Sequence, residues 1–290
     1  MEKGEDGRVG EVRTRRLASG ALAEIREDRW RRGAYELVVD GTPQSHVDLG
    51  DATELAFEYV RRMGHVIDRV GTPSGAITAI HLGAGALTLP RYIDATRPGS
   101  RQQVVELDRE LVEFVRAELP WDRQASIRVR YGDAREVLRS LPAGLAGSAE
   151  VLVIDVFAGA RTPAHVTSVE FYREAAALLA PDGIALVNVA DGPPLHYARS
   201  QAVTLQAAIG PVTLLAESSV VKGRRFGNVV LAASRSGLPA EWDRPLFGAG
   251  PHPAAVLSGR ELIAFCAGAP LTTDASATGS PAPGRGVFRL

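Results

Sequence analysis

From Ala76 onward the chain alternates short apolar runs with amphipathic stretches, and this alternation constrains the fold more than any other feature. The successive pairs are "AITAIHL" with "LPRYIDAT", "QQVVEL" with "RELVEFVRAEL", "SIRVRY" with "AREVLRSL", "EVLVID" with "VEFYREAAALLA", and "GIALVNVA" with "LHYARSQAVTLQAAI". A strand covered by helices on both faces has no solvent side, so it reads as a continuous apolar run, and a helix after each run carries the chain back to start a parallel neighbour. Pro181-Asp182-Gly183 reads as a sharp turn between the fourth helix and the fifth strand. The last two runs, "PVTLLAE" and "GNVVLAAS", have only "SSVVKGRRF" between them. That is too short for a helical crossover, so an antiparallel pair is expected at the sheet edge. The expected fold is α/β, a doubly wound Rossmann-type sheet with an antiparallel edge pair.

The rest of the chain reads as attachments to this sheet. Residues 17–50 predict a small N-terminal β domain, because "GALAEIRED" and "AYELVVDG" carry strand formers and Asp40-Gly41 signals a turn. The larger unit then covers 51–270. It opens on a helix for which Asp51 is the expected cap, with Leu55, Tyr59, Met63 and Val66 at helical spacing. Residues 1–16 are charged and read as a disordered extension. Residues 271–290, rich in Thr, Ser, Ala, Pro and Gly, read as an extended or disordered tail after a short helix around "GRELIAFCA". The formal net charge of −1 gives no pull toward nucleic acid or anionic lipid. No apolar window is long enough to span a membrane, and the N-terminus lacks the apolar core of a secretory signal. With Cys266 as its single cysteine the chain has no disulfide framework and no cysteine metal site, and a cytoplasmic location is expected. Cys266 itself reads as a small packed apolar residue.

In a doubly wound sheet, ligands sit at the carboxyl ends of the strands. The residues just past each run are therefore the candidates. After the first comes "HLGAGAL", where Gly83 and Gly85 allow a tight turn and close approach to a ligand. The third glycine of a dinucleotide fingerprint would fall at Thr88 and is absent. Glu106 follows the second run, about 20 residues past the glycine loop, where a carboxylate accepts hydrogen bonds from ribose hydroxyls. Asp133 follows the third and suits an exocyclic amine, Asp155 follows the fourth, and Asp191 follows the fifth. Each acid has a second reading as a helix N-cap, since strand-to-helix loops favour aspartate there. For Glu106 the neighbouring Asp108 is the better cap. Together the loops describe a site for a nucleoside with a charged tail. His81, before the glycine loop, reads as packed, and "KGRR" at 222–225 as a solvated turn.

Over residues 35–234 the sequence resembles the spermidine synthase (polyamine aminopropyltransferase) family and its bacterial spermidine synthase-like branch. The segments that carry the likeness are "LVVDGTPQS", "EYVRRMGHV", "HLGAGALTLPR", "VVELD", "YGDA" and "VLVID". The resemblance implies an S-adenosylmethionine-dependent methyltransferase-like core behind a small β domain. It implies Gln44 against the nucleoside, Tyr59 and His65 at the family's tyrosine and histidine positions, Glu106 on the ribose, Asp133 on the adenine side and Asp155 as the catalytic acid. It further implies decarboxylated S-adenosylmethionine as co-substrate, no metal, a small-molecule amine acceptor and, as often in the family, a homodimer.

Three positions depart from the family pattern. Ala86 stands where the family's glycine loop has an aspartate, no acid lies between Asp155 and Pro163 where a second aspartate grips the diamine, and Arg61 replaces an often acidic residue. A diamine needs anionic partners at both ends once desolvated, because an unpaired buried charge costs several kcal/mol. The expectation is therefore a spermidine synthase-like transferase with Asp155 as general base and Asp191 as a substitute contact to the acceptor. Two rivals stand beside it. One is methyl transfer from intact S-adenosylmethionine to some other nucleophile, with Arg61 holding the carboxylate. The other is a non-catalytic nucleoside-binding module.

Overall fold

The computed structural model describes residues 12–283 of the chain. A four-stranded antiparallel sheet comes first: β1 Arg13–Arg16, β2 Leu22–Glu27, β3 Ala34–Val39 and β4 Thr42–Asp48, in that spatial order. The strand β1 lies inside the segment expected as a disordered extension. Its four residues pair with β2 from Arg13↔Ile25 to Arg16↔Leu22, which satisfies the backbone the sequence composition left unassigned. The rest of that extension, residues 1–11, lies outside the described residues.

The first helix, α1 Glu58–Ile67, starts later than expected, because Asp51 spends its Oδ1 on the backbone N–H of Thr53 at 3.0 Å and on the Thr53 hydroxyl at 2.6 Å. That local turn replaces the predicted helix cap. Then follow β5 Thr78–Leu82, α2 Thr88–Thr96, β6 Arg101–Glu106, α3 Arg109–Glu118, β7 Ile127–Tyr131, α4 Ala134–Ser140, β8 Ala149–Ile154, α5 Val169–Ala176, β9 Leu179–Asp191 and α6 His196–Ala208. The chain closes with β10 Val212–Glu217, α7 Ser218–Val221, β11 Gly227–Ala233, α8 Asp243–Ala249, β12 Ala254–Leu257 and α9 Gly259–Cys266.

The large sheet runs β12-β10-β11-β9-β8-β5-β6-β7. The pairs β6·β7, β5·β6, β5·β8 and β8·β9 are parallel, and β9·β11, β10·β11 and β10·β12 are antiparallel. This is the methyltransferase-like mixed sheet with its antiparallel pair. The pair is not the outermost element, however, since β12 adds four residues beyond it. Pro181-Asp182-Gly183 is absorbed into β9, where the register against β8 shifts.

The chain leaves β5 in one direction to build β6 and β7, then returns to the other side for β8. The order reverses between β5 and β8, and the crevice outside their carboxyl ends is where such sheets bind ligands. Two buried clusters cover the faces: Ile80, Leu152, Phe171 and Leu205 on one, Met63, Ile93, Val151 and Leu186 on the other. A third cluster joins Ile25, Leu37 and Val47 of the small sheet to Leu87, Val104 and Phe114. Apolar burial of this kind contributes about 25 cal/mol per Å², and it fixes the small sheet over the crevice. Among the described residues no helix is long and apolar enough to cross a membrane.

Residues 271–283 form neither helix nor strand but are tied down. Asp274 pairs with Arg135 at 2.7 Å and accepts from Ser168, the Ser280 hydroxyl accepts from the Thr162 N–H at 2.9 Å, and Arg161 donates to the Ser280 carbonyl at 2.6 Å. The tail is thus a strap over the segment that follows Asp155.

Candidate active site

The loop after β5 is shaped by backbone crowding. Gly83 sits at φ 96°, and a Cβ there would collide with the carbonyl oxygen of Asp155; Gly85 sits at φ 48°, and a Cβ would strike the Ser45 hydroxyl. Only glycine adopts these angles cheaply in so little space. The Ser45 hydroxyl accepts from the Ala86 N–H at 3.0 Å, and Thr88 donates to the His46 carbonyl at 3.0 Å, so the small sheet is bonded to the glycine loop. A cavity of about 1060 Å³ opens above these strand tips, lined by Gln44, Tyr59, Gly83, Gly85, Glu106, Asp133 and Asp155 among others. Six of the sequence candidates in the strand loops and the small sheet, with Tyr59, therefore share one wall.

Glu106 is pulled inward by two backbone donors, Ala84 at 2.9 Å to Oε2 and Asp108 at 2.9 Å to Oε1. Burial pushes its carboxyl above the usual value, against those hydrogen bonds. The residue lines the cavity. Asp133 caps α4 through the N–H groups of Arg135 and Glu136, and its second oxygen meets His165 Nε2 at 2.6 Å. Burial alone would raise its carboxyl; the Glu136 N–H and His165 outweigh it and hold it below the usual range. The helix-cap reading of Asp133 holds, and the residue also lines the cavity. His165, which also lines the cavity, is a residue the sequence reasoning missed.

Asp155 lines the first cavity, and its two side-chain hydrogen-bond partners line a second. The second, about 390 Å³, is lined by Gln44, Tyr59 and Phe157, which it shares with the first, and by Glu36, Phe57, Asn188, Arg225 and Phe226. The Tyr59 hydroxyl donates to Asp155 Oδ2 at 3.1 Å, and Asn188 Nδ2 donates to Oδ1 at 2.8 Å. Desolvation raises the Asp155 carboxyl from its ordinary 3.8, only partly offset by those two donors. Desolvation and the neighbouring Asp155 drive the Tyr59 phenol well above 10, so it remains a donor. Asn188 Oδ1 is buried with no partner among the described residues, and so offers an acceptor beside the acid. A signal for Asn188 was in the sequence: it is the polar residue inside the apolar run "GIALVNVA". Gln44 Nε2 donates to the Gly159 carbonyl at 3.2 Å, closing the small sheet onto the loop after Asp155.

Two candidates lie elsewhere. His65 lines neither cavity: six residues after Tyr59 it points about 120° away around α1, and burial lowers its imidazole. Asp191 also lines neither, because its oxygens accept from the N–H groups of Gly192 at 2.7 Å and Ala198 at 2.8 Å at the start of α6. Arg61 donates from Nε and Nη2 to the Leu55 carbonyl and faces Glu54 at 3.6 Å, away from both cavities. Ala86 is fully buried. Among the described residues no cluster of three His, Cys, Asp or Glu is arranged to hold a metal ion.

No family model matches the chain. A probable spermidine synthase from Corynebacterium glutamicum ATCC 13032 superposes with a TM-score of 0.81 at 30% identity, over 91% of this chain and 96% of that one. The chain belongs to the spermidine synthase family. The polyamine aminopropyltransferase of Neisseria meningitidis (strain MC58) is 27% identical over 150 residues, covering 51% of this chain and 54% of that protein. The chain thus spans about half the length of the curated relatives it matches. The spermidine synthase of Thermotoga maritima shares the fold at a TM-score of 0.56 and 15% identity, over 81% of this chain and 78% of that one.

Proposed function

We propose that this chain transfers an aminopropyl group from decarboxylated S-adenosylmethionine to a small amine. The observation that carries the reading is Asp155, which lines a nucleoside-sized cavity and is held by Tyr59 and Asn188, two residues that line a smaller one. The glycine loop and the carboxylate of Glu106 suit an adenosyl group in the first. The sulfonium supplies a good leaving group on the carbon under attack.

In this reading Glu106 and Gln44 orient the nucleoside, and Asn188 Oδ1 accepts one N–H of the incoming amine. Asp155, raised by burial, is a stronger base than a solvated carboxylate and takes the proton that the amine sheds. The amine lone pair forms the new N–C bond as the C–S bond breaks, and that bond's electron pair stays on sulfur to give a neutral thioether. Tyr59 keeps Asp155 aimed throughout, and most of the acceleration comes from alignment of the two reactants.

Methyl transfer from intact S-adenosylmethionine is the second reading, favoured by Ala86 where an acid would meet the tail amine. It lacks a partner for the tail carboxylate at Arg61, which is turned toward Leu55 and Glu54. Calorimetry with the two nucleosides, followed by detection of 5′-methylthioadenosine after adding amines, separates them. Tighter binding of the decarboxylated form and thioether release are expected. Tighter binding of the carboxylated form with methylated product overturns the proposal, and no binding of either points to a non-catalytic module. A homodimer in the cytoplasm completes the proposal, tested by the mass of the protein in solution and by where a tagged chain is found in the cell.

A further inference from the structure

Asp133 follows β7 and lines the larger cavity, and its two oxygens are used differently. Oδ1 accepts from the N–H groups of Arg135 at 2.9 Å and Glu136 at 3.1 Å, so it belongs to the start of α4. Among the described residues Oδ2 meets one partner, His165 Nε2 at 2.6 Å. The His165 side chain lines the same cavity and is 48% exposed, against 26% for Asp133. Its backbone is anchored apart from the ring: the His165 carbonyl accepts from Arg135 Nη1 at 3.1 Å, and Val166 and Thr167 after it are buried. The turn Ala164–Val166 packs against α4 and α5. The charges that these helices and the strap bring there pair with one another, Arg135 with Asp274 at 2.7 Å and Glu174 at 2.8 Å, and Arg139 with Glu174 at 2.9 Å. Glu170 accepts from the Asp274 N–H at 2.9 Å, and Glu136 and Arg173 are exposed. Among the described residues Asp133 is the one carboxylate within ion-pair distance of the imidazole.

We propose that His165 is a resident competitor at the nucleobase end of the cavity: its Nε2–H occupies Asp133 Oδ2 in the empty site, and the exocyclic amino group of the incoming base takes its place. This rests on the larger cavity being the nucleoside side of the proposed transferase. The exchange trades one N–H donor for another, so a base with an amino group replaces the bond that is broken. A base without one leaves the histidine in the way or the carboxylate oxygen unpaired. The released imidazole, half exposed, is received by water, so no buried group is stranded. When the imidazole is protonated, the contact to be broken is charge-assisted at both ends and stronger than its neutral counterpart. Binding then expels a proton to solvent, and nucleoside affinity falls as pH falls. Selectivity for an aminated base thus lies in a residue that leaves as the base arrives.

The test is calorimetry on the full chain with adenosine and with purine riboside, which differ only in the amino group, at about pH 6 and about pH 8, on either side of the imidazole transition. His165→Ala should bind adenosine about tenfold more tightly than wild type at the lower pH and about threefold more tightly at the higher, following the strengths of charge-assisted and neutral hydrogen bonds. Purine riboside should bind both chains alike. In wild type at the lower pH, adenosine binding should release protons, read from the change of the heat with the buffer's ionisation enthalpy. His165→Ala loses that share of the release, whereas any share from Glu106 or Asp155 in the same cavity stays in both chains. Weaker or unchanged adenosine binding in His165→Ala makes the histidine a support for Asp133 and overturns the proposal. Equal tightening of both nucleosides makes it a steric obstacle and overturns it as well. If His165→Ala melts abnormally, His165→Gln takes its place. It keeps a neutral donor, so adenosine should bind as in wild type at the higher pH and more tightly than wild type at the lower; a pH dependence like that of wild type counts against His165. No binding of either nucleoside to any of these chains sinks the nucleoside cavity and the transferase reading with it. Adenosine binding that ignores His165 sinks His165 alone.

Discussion

The larger cavity is walled mainly by loops that leave neighbouring parallel strands, whereas the smaller one is walled by residues scattered from β3 to β11. In the first, backbone N–H groups and a close glycine packing hold the carboxylates; in the second, aromatic faces surround a few charges. In the proposed reading, nucleoside recognition belongs to the strand–helix units, while acceptor choice is assembled by docking one sheet on another. On this view the two halves respond to separate mutations, although Gln44, Tyr59 and Phe157 line both.

The sharpest test of that division is Asp155 itself. Asp155→Asn should lower turnover about 10²–10⁴-fold while calorimetry finds nucleoside affinity intact; retained turnover removes Asp155 as the base. Next in size, Glu106→Ala should weaken nucleoside binding about 10- to 100-fold with the acceptor KM unmoved. Asn188→Ala should do the reverse, raising the acceptor KM about tenfold with nucleoside affinity unchanged. If Asn188→Ala weakens the nucleoside equally, the two cavities are one energetic unit.

The smallest effect is on stability. The folded-state carboxyl of Asp155 lies above its ordinary 3.8, so the fold favours its protonated form. That stability is present below the ordinary value and is lost as pH rises through the folded one. Asp155→Asn, permanently neutral, should therefore melt above wild type at pH 7, by about 2–4 °C for each kcal/mol of relief. The gap should close as pH falls toward the unfolded value, and a gap that is constant with pH would assign the effect to packing instead.

How much of this was legible follows the same line. Gly83, Gly85, Glu106, Asp133 and Asp155 could be found because a parallel strand covered by helices fixes where its tip must lie, and the ligand rim follows from the topology. The parallel strands and the antiparallel β10·β11 pair were legible from run lengths, whereas β12, four residues of "AAVL", is too short to announce itself. His65 and Asp191 were plausible by position in the chain, but a third of a turn of helix carries one away and a helix start claims the other. Glu36 carried no signal at all. Its neighbours in the sequence say only that it belongs to a strand, and its place beside Asn188 exists once β3 has docked across the cleft. Arg61 shows the converse, a charge in a suggestive position that its own helix start uses up.

The strap at residues 272–280 bears on how the protein is made. Ser280 and Thr272 hold the backbone of Thr162 and Val169, downstream of Asp155. A growing chain emerges amino end first, so these anchors arrive after every strand of the large sheet has been synthesised. On the ribosome the loop beside the acid therefore has the Gln44 contact but not these anchors, and a stall or cut before position 272 yields a complete sheet with an unfinished rim.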